Sequence, residues 1–219
     1  MIQNPGKNVL FCPDFRIFET MKKILIALAF ITLLGSCNQH KEMLFNGKDL
    51  DGWVFFTRED STVTEPTFTV VDGALHISGQ PFGYIRTVKK YGDYTLHLQW
   101  RWAGPRADSG IFNRLPDNDK VWPDGIQLQL RESDFGYLFS AIPLEGVEGP
   151  FFRKAPLSDG DPEKADGEWN ETVITCQGGH ITCTVNGVLV NEAVAEATEG
   201  YIGFQSEGGA LEFRDIWID

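Results

Sequence analysis

Residues 93–102, DYTLHLQWRW, alternate without a break. Tyr94, Leu96, Leu98, Trp100 and Trp102 fall on one side of an extended chain, and Thr95, His97, Gln99 and Arg101 on the other. A period of two over this length excludes an amphipathic helix, which brings apolar residues back every three or four positions. A strand of this kind packs one face and wets the other. GIQLQLRE (125–132) repeats the device, with Ile126, Leu128 and Leu130 set against Gln127, Gln129 and Arg131. TFTVV (67–71) meets ALHIS (74–78) across Asp72-Gly73, and Asn186-Gly187 precedes VLVNEA. Both dipeptides are tight-hairpin signals. With GYLFSAI, ETVITCQ, HITCTV, GYIGFQS and ALEFRDIWI, the chain holds about a dozen short strands and no segment that reads as helix. The expected fold is all-β, a two-sheet antiparallel sandwich of jelly-roll type. Residues 143–168, rich in Pro, Gly and acidic side chains, break the pattern as one long loop, which points to a functional or mobile segment.

The N-terminal part is of another kind. Met21 opens MKKILIALAFITLLGSC: two lysines, an apolar core from Ile24 to Leu34, then small residues ahead of Cys37. That pattern is a secretory signal too short to span a bilayer, and its last four residues resemble a bacterial lipobox, which implies lipidation of Cys37. The expected layout is residues 1–20 outside the fold, a signal at 21–36, a linker at 37–43 and one sandwich domain at 44–219. The expected location is the bacterial cell envelope, with the chain lipid-anchored at the outer membrane. Removing residues 1–36 takes away four basic and two acidic side chains, leaving 15 Lys+Arg against 29 Asp+Glu, a net of −14. So acidic a surface argues against nucleic acid or anionic lipid as a partner, and leaves the acyl chains as the only membrane contact.

Cys176 and Cys183 lie in TCQGGHITC. A turn at Gly178-Gly179 puts them diagonally on one face. A turn at Gly179-His180 puts them opposite each other and allows a bridge, and two buried free thiols are the alternative. His97, Gln99 and Arg101 on one strand, with Gln127, Gln129 and Arg131 on another, predict a concave hydrogen-bonding surface. Amides and guanidinium groups suit hydroxyl-rich ligands. Trp100 and Trp102 belong to the core by parity, whereas Trp122 in KVWPDG sits on a loop beside the predicted groove. Carbohydrate is the ligand class these side chains favour.

Taken in order, LFNGKDLDGW, YGDYTLHLQWRW, DSGIFNR, GIQLQL, EWNETVI, TVNG and GYIGFQSEGGALEFRDIWI resemble the 3-keto-disaccharide hydrolase family, from Leu44 to Asp219. The resemblance implies a concanavalin A-like lectin/glucanase sandwich, with Trp53 of LFNGKDLDGW anchored in it. It also implies cleavage of glycosides oxidised at C3, by removal of the C2 proton, expulsion of the aglycone and addition of water. That chemistry asks for a base and a stabiliser of the enolate, not for the paired carboxylates of ordinary glycosidases. The family's NSGIFFR appears as Asp108–Arg114, which makes Asp108 a candidate base and Arg114 its ion partner or clamp. The family's GYEVQ appears as GIQLQ, so Gln127 stands where an acid is usual, and Glu132 becomes an alternative carboxylate. The catalytic candidates are therefore Asp108, Glu132 and His97. Arg101, Arg114, Gln127, Gln129 and Trp122 are the substrate-binding candidates.

Other chemistries find little support. The laminarinase-type run E-x-D-x-x-E is missing, and in DGDPEKADGE Lys164 occupies the glycine position of an EF-hand loop. The four histidines form no His-x-His pair, and no nucleophile-elbow motif is present. No cofactor and no metal ligand set are expected, beyond an adventitious divalent ion. Two readings remain, an enzyme acting on 3-keto-glycosides and a non-catalytic lectin-like module. The replacement at Gln127 favours the second, and the extent of the resemblance favours the first.

Overall fold

In a computed structural model, the alternating segments become strands. In chain order these are β1 (Glu42–Met43), β2 (Trp53–Thr57), β3 (Phe68–Val71), β4 (Ala74–Ile77), β5 (Gly83–Thr87), β6 (Tyr94–Trp102), β7 (Gly110–Leu115) and β8 (Ile126–Gln129). They continue as β9 (Leu138–Ser140), β10 (Phe152–Lys154), β11 (Asn170–Gln177), β12 (His180–Val185), β13 (Val188–Val194), β14 (Tyr201–Ser206) and β15 (Leu211–Ile218). Met1 and residues 40–59, 65–149, 152–158 and 160–219 are described. The only helical element among them is one 3₁₀ turn, Glu132–Asp134. The signal segment and Cys37 lie outside the described residues.

Two antiparallel sheets face each other, as the alternation predicts. The first runs β13-β12-β11-β6-β15-β4-β3, with β1 added to β15, and the second runs β10-β9-β8-β7-β14-β5-β2. Glu42 and Met43, read as linker, pair with Ile218 and Trp217 and so belong to the first sheet. The inward residues of β6 are buried and the alternate ones only partly so, in the predicted phase. Phe204 of β14 stacks on Phe213 of β15 with ring centroids 4.4 Å apart, joining the two sheets through the core. Such pairs add about 0.5–1.5 kcal/mol beyond the area they bury. Two polar groups of the core find partners there: Trp100 Nε1 donates to Thr172 Oγ1 at 2.9 Å, and the Tyr94 hydroxyl donates to Asn113 Oδ1 at 2.9 Å.

The turns follow their residue types. Asp72-Gly73 and Asn186-Gly187 both take positive φ at both positions, the backbone that two-residue hairpins need. In LFNGKDLDGW, Asn46 Oδ1 accepts the backbone N–H of Lys48 (2.7 Å) and Asp49 (3.0 Å), which closes the turn. The buried indole of Trp53 then donates to the Leu44 carbonyl at 2.9 Å. Pairing of Cys176 with Ile181 and Gln177 with His180 centres the next turn on Gly178-Gly179. The two cysteines are diagonal, buried and free.

The segment 143–168, read as one long loop, contains β10, which pairs with β9, and its later part is tied back to the end of β6. Trp102 Nε1 donates to Glu163 Oε1 and Arg106 Nη1 to Glu163 Oε2, both at 2.8 Å. Burial pushes the Glu163 carboxyl up to about 7; Arg106 opposes the shift, and Asp161 and Asp166 add to it. A carboxyl raised on folding contributes stability that is complete below its unfolded value and is lost as pH rises through the folded value. Relative to wild type, Glu163→Gln should therefore gain up to about 3 kcal/mol between about pH 4.5 and pH 7. Thermal melting of both proteins across that range checks this, and parallel curves would refute it.

Candidate functional site

The second sheet's outer face carries a groove. In β8, Ile126 and Leu128 turn into the core, so Gln127 and Gln129 turn out. In β14, Phe204 turns in and Gln205 out, and Glu207 follows two residues later with the same parity. These side chains line a cavity of about 400 Å³ together with Asp108, Arg131 and the loop residue Trp122. Phe112, Pro123, Phe139 and Ala141 supply an apolar wall. None of the lining residues comes from the long loop.

The polar wall is one connected network. Gln127 Nε2 donates to Gln129 Oε1 (3.0 Å) and to Gln205 Oε1 (2.7 Å). Gln205 Nε2 donates in turn to Glu207 Oε2, and Trp122 Nε1 donates to Glu207 Oε1 at 3.3 Å. Room for this network comes from Gly110, where a Cβ would lie 2.1 Å from Gln127 Nε2. Arg131 Nη1 holds Asp108 Oδ2 at 3.0 Å, while its Nε and Nη2 grip Asp134. Asp108 and Glu207 pair their backbones in a short antiparallel bridge, so two carboxyls enter the groove from adjacent segments.

Both carboxyls hold protons more tightly than usual. Burial raises Asp108; Arg131 opposes this, and Asp134 adds to it. Burial also raises Glu207, and the charge of Asp108 raises it further. Hydrogen bonding to Asp134 raises Arg131, which therefore stays charged throughout. An ionisable pair in a partly buried groove next to a fixed cation is suited to proton transfer.

Of the residues chosen from sequence, Asp108, Gln127, Gln129 and Trp122 do meet in the groove. The others do not. β6 lies in the first sheet and β8 in the second, so His97 and Arg101 sit on the opposite outer face. There His97 stacks on Trp217 at 3.8 Å, and Arg101 pairs with Glu212 at 2.7 Å. Alternation gives each strand two faces but does not say which strands are neighbours. Arg114 is 1% exposed, in a left-handed backbone conformation with φ 56. Its guanidinium donates to the carbonyls of Tyr91, Gly92 and Gly178, so it braces loops; Asp108 is paired by Arg131 in its place. Glu132 is exposed at the 3₁₀ turn and faces a different hollow. Among the described residues, no cluster of three or more His, Cys, Asp or Glu side chains is disposed to hold a metal ion.

Arg131, which the sequence placed on the predicted surface but not among the site candidates, completes the groove with Gln205 and Glu207, which the sequence did not single out. Arg131 shares parity with Gln127 and Gln129, and that signal was legible. Glu207 follows a strand whose neighbour is β7, a pairing of residues 86 to 93 positions apart that the sequence does not reveal. Gly110→Ala should swing the Gln127 side chain aside and weaken binding of a hydroxyl-rich ligand in the groove by about tenfold, the worth of one or two hydrogen bonds. Titration calorimetry beside a melting curve checks this; an unchanged affinity would show that the amide row does not bind ligand.

A family model described as 3-keto-alpha-glucoside-1,2-lyase-like domain matches residues 40–219. Among solved structures, a proposed glycosyl hydrolase from Parabacteroides distasonis ATCC 8503 is 21% identical, with 82% of this chain and 93% of that one covered and a TM-score of 0.61. A carbohydrate-binding module from Bacillus subtilis is 12% identical over 75% of this chain and 93% of its own, with a TM-score of 0.55. The β-glucanase of Bacillus licheniformis is 14% identical over 84% and 98%, again at 0.55. These likenesses show a common jelly-roll sandwich. No curated protein matches the sequence.

Proposed function

The chain belongs to the 3-keto-alpha-glucoside-1,2-lyase-like family, and we propose that it cleaves 3-keto-glycosides in the groove on its second sheet. The observation that carries this reading is Asp108, a half-buried carboxyl of raised proton affinity, held 3.0 Å from Arg131 in a cavity walled by three glutamine amides. Solved sandwiches that include a β-glucanase and a carbohydrate-binding module support carbohydrate as the ligand class.

A C3 ketone acidifies the proton on C2. Asp108 takes that proton, and the electron pair passes into the C2–C3 bond and onto the ketone oxygen as an enolate. Arg131 is the fixed cation beside it. The enolate collapses to a C1–C2 double bond as the bond from C1 to the aglycone oxygen breaks. Water then adds at C1 and Asp108 returns its proton to C2, leaving the free 3-keto sugar. Gln127, Gln129 and Gln205 orient the ring hydroxyls through bidentate amides, and the wall of Phe112 and Phe139 faces the aglycone. The basic, apolar, lipobox-like sequence at 21–37 adds the proposal that the enzyme is a lipid-anchored protein of the cell envelope.

Glu132, outside the groove, is the control. With a p-nitrophenyl 3-keto-glucoside, Asp108→Asn should lower kcat/KM by about 10²–10⁴-fold, and Glu132→Gln should leave it unchanged. Release of p-nitrophenol reports both. Full turnover by the Asp108 variant refutes the assignment of the base. Sugar binding by calorimetry without turnover in wild type would make the protein a lectin-like module.

A further inference from the structure

Asp108 and Arg131 account for proton removal and the enolate, but not for the proton that the departing aglycone oxygen needs. That need depends on the leaving group. A nitrophenolate departs readily as an anion, whereas a sugar or alkyl alkoxide is a strong base and departs slowly without a proton. The groove contains two carboxyls that the scheme has not used, and of these Asp124 is already held by Lys120 at 2.7 Å and by the Asn118 amide, which leaves Glu207.

We infer that Glu207 is the general acid, donating its proton to the aglycone oxygen as the C1–O bond breaks. This assignment rests on the proposed 3-keto-glycoside cleavage. Glu207 stands beside Asp108 through their backbone bridge and lines the same cavity. The two carboxyls differ in one respect that separates their roles. Arg131 pairs with Asp108 at 3.0 Å and favours its ionised form, whereas Glu207 makes no ion pair among the described residues. Its partners are neutral N–H donors. Gln205 fixes Oε2, and the Trp122 indole reaches Oε1 across 3.3 Å, a long contact from an exposed loop. Burial and the nearby Asp108 charge favour the protonated carboxyl, against the Trp122 indole and the Arg131 charge, and divergence within a carboxyl pair is what separates acid from base.

The cycle balances in protons and electrons. Asp108 gains the C2 proton, and Glu207 gives its own to the aglycone, which leaves as an alcohol. Glu207 is now a carboxylate. It takes a proton from the water that adds at C1, while Asp108 returns its proton to C2. Both side chains end as they began, and the net change is hydrolysis.

Leaving-group dependence tests this assignment, using the p-nitrophenyl and methyl 3-keto-glucosides with the purified full chain. Glu207→Gln should lower kcat/KM for the methyl glycoside by about 10²–10⁴-fold and change the p-nitrophenyl value less than about fivefold. The ratio of the two substrates is independent of how much enzyme is folded, so a loss of structure cannot imitate the result. Glu207→Asp, which keeps the acid but retracts it, should fall between wild type and Glu207→Gln on the methyl substrate. Equal losses on both substrates, or no loss on either, overturn the role of Glu207 alone while wild type remains active. An inactive wild type overturns the proposed cleavage and this inference together.

Discussion

The stack of Phe204 on Phe213 joins the two sheets at their centre, and Trp53 packs against Phe204 from the same side of the core. With Phe204 turned inward, the period of two sends Gln205 outward and places Glu207 on the same side. The same rule acts across the sheet, where Ile126 and Leu128 in the core force Gln127 and Gln129 to the surface. The groove is therefore made of the residues that core packing excludes. A slip of one residue in β14 would bury the amide of Gln205 and remove the donor that fixes Glu207.

Within that frame, position decides what each arginine does. Arg131 sits at the edge of the groove between Asp108 and Asp134, charged and partly exposed, next to where the substrate's negative charge would develop. Arg114 is buried, and it spends its donors on main-chain carbonyls from two loops. Arg86, further along the same outer face, is locked by both oxygens of Asp119, which also accepts the Tyr84 hydroxyl. Three guanidinium groups on one sheet thus serve a carboxylate in the groove, a loop brace and a surface clamp. Only the first leaves a cation facing the cavity.

The first sheet's outer face shows the opposite outcome. It is as rich in aromatic and charged groups as the groove, but they satisfy one another. Trp169 lies under both Arg101 and Arg214, and Trp217 is covered by His97 and approached by Lys41. Such a face is consistent with solvent-exposed packing, since its stacking surfaces already have partners. Side-chain type alone did not distinguish the two faces.

The sequence by itself determined most of the strands, though not β1 or β10, together with their inward and outward residues and the hairpin turns at Asp72-Gly73 and Asn186-Gly187. All of these depend on neighbours within a few residues. Tertiary structure decided the rest. His97 and Gln127 look equivalent along the chain, and they part because β6 joins β11 and β15 while β8 joins β7 and β9. Asp108 could not be matched to Arg131 in place of Arg114, nor Glu207 brought beside Asp108, until distant strands were paired. Alternation is local and written in the order of residues, whereas strand order is settled only when the two apolar faces close on each other.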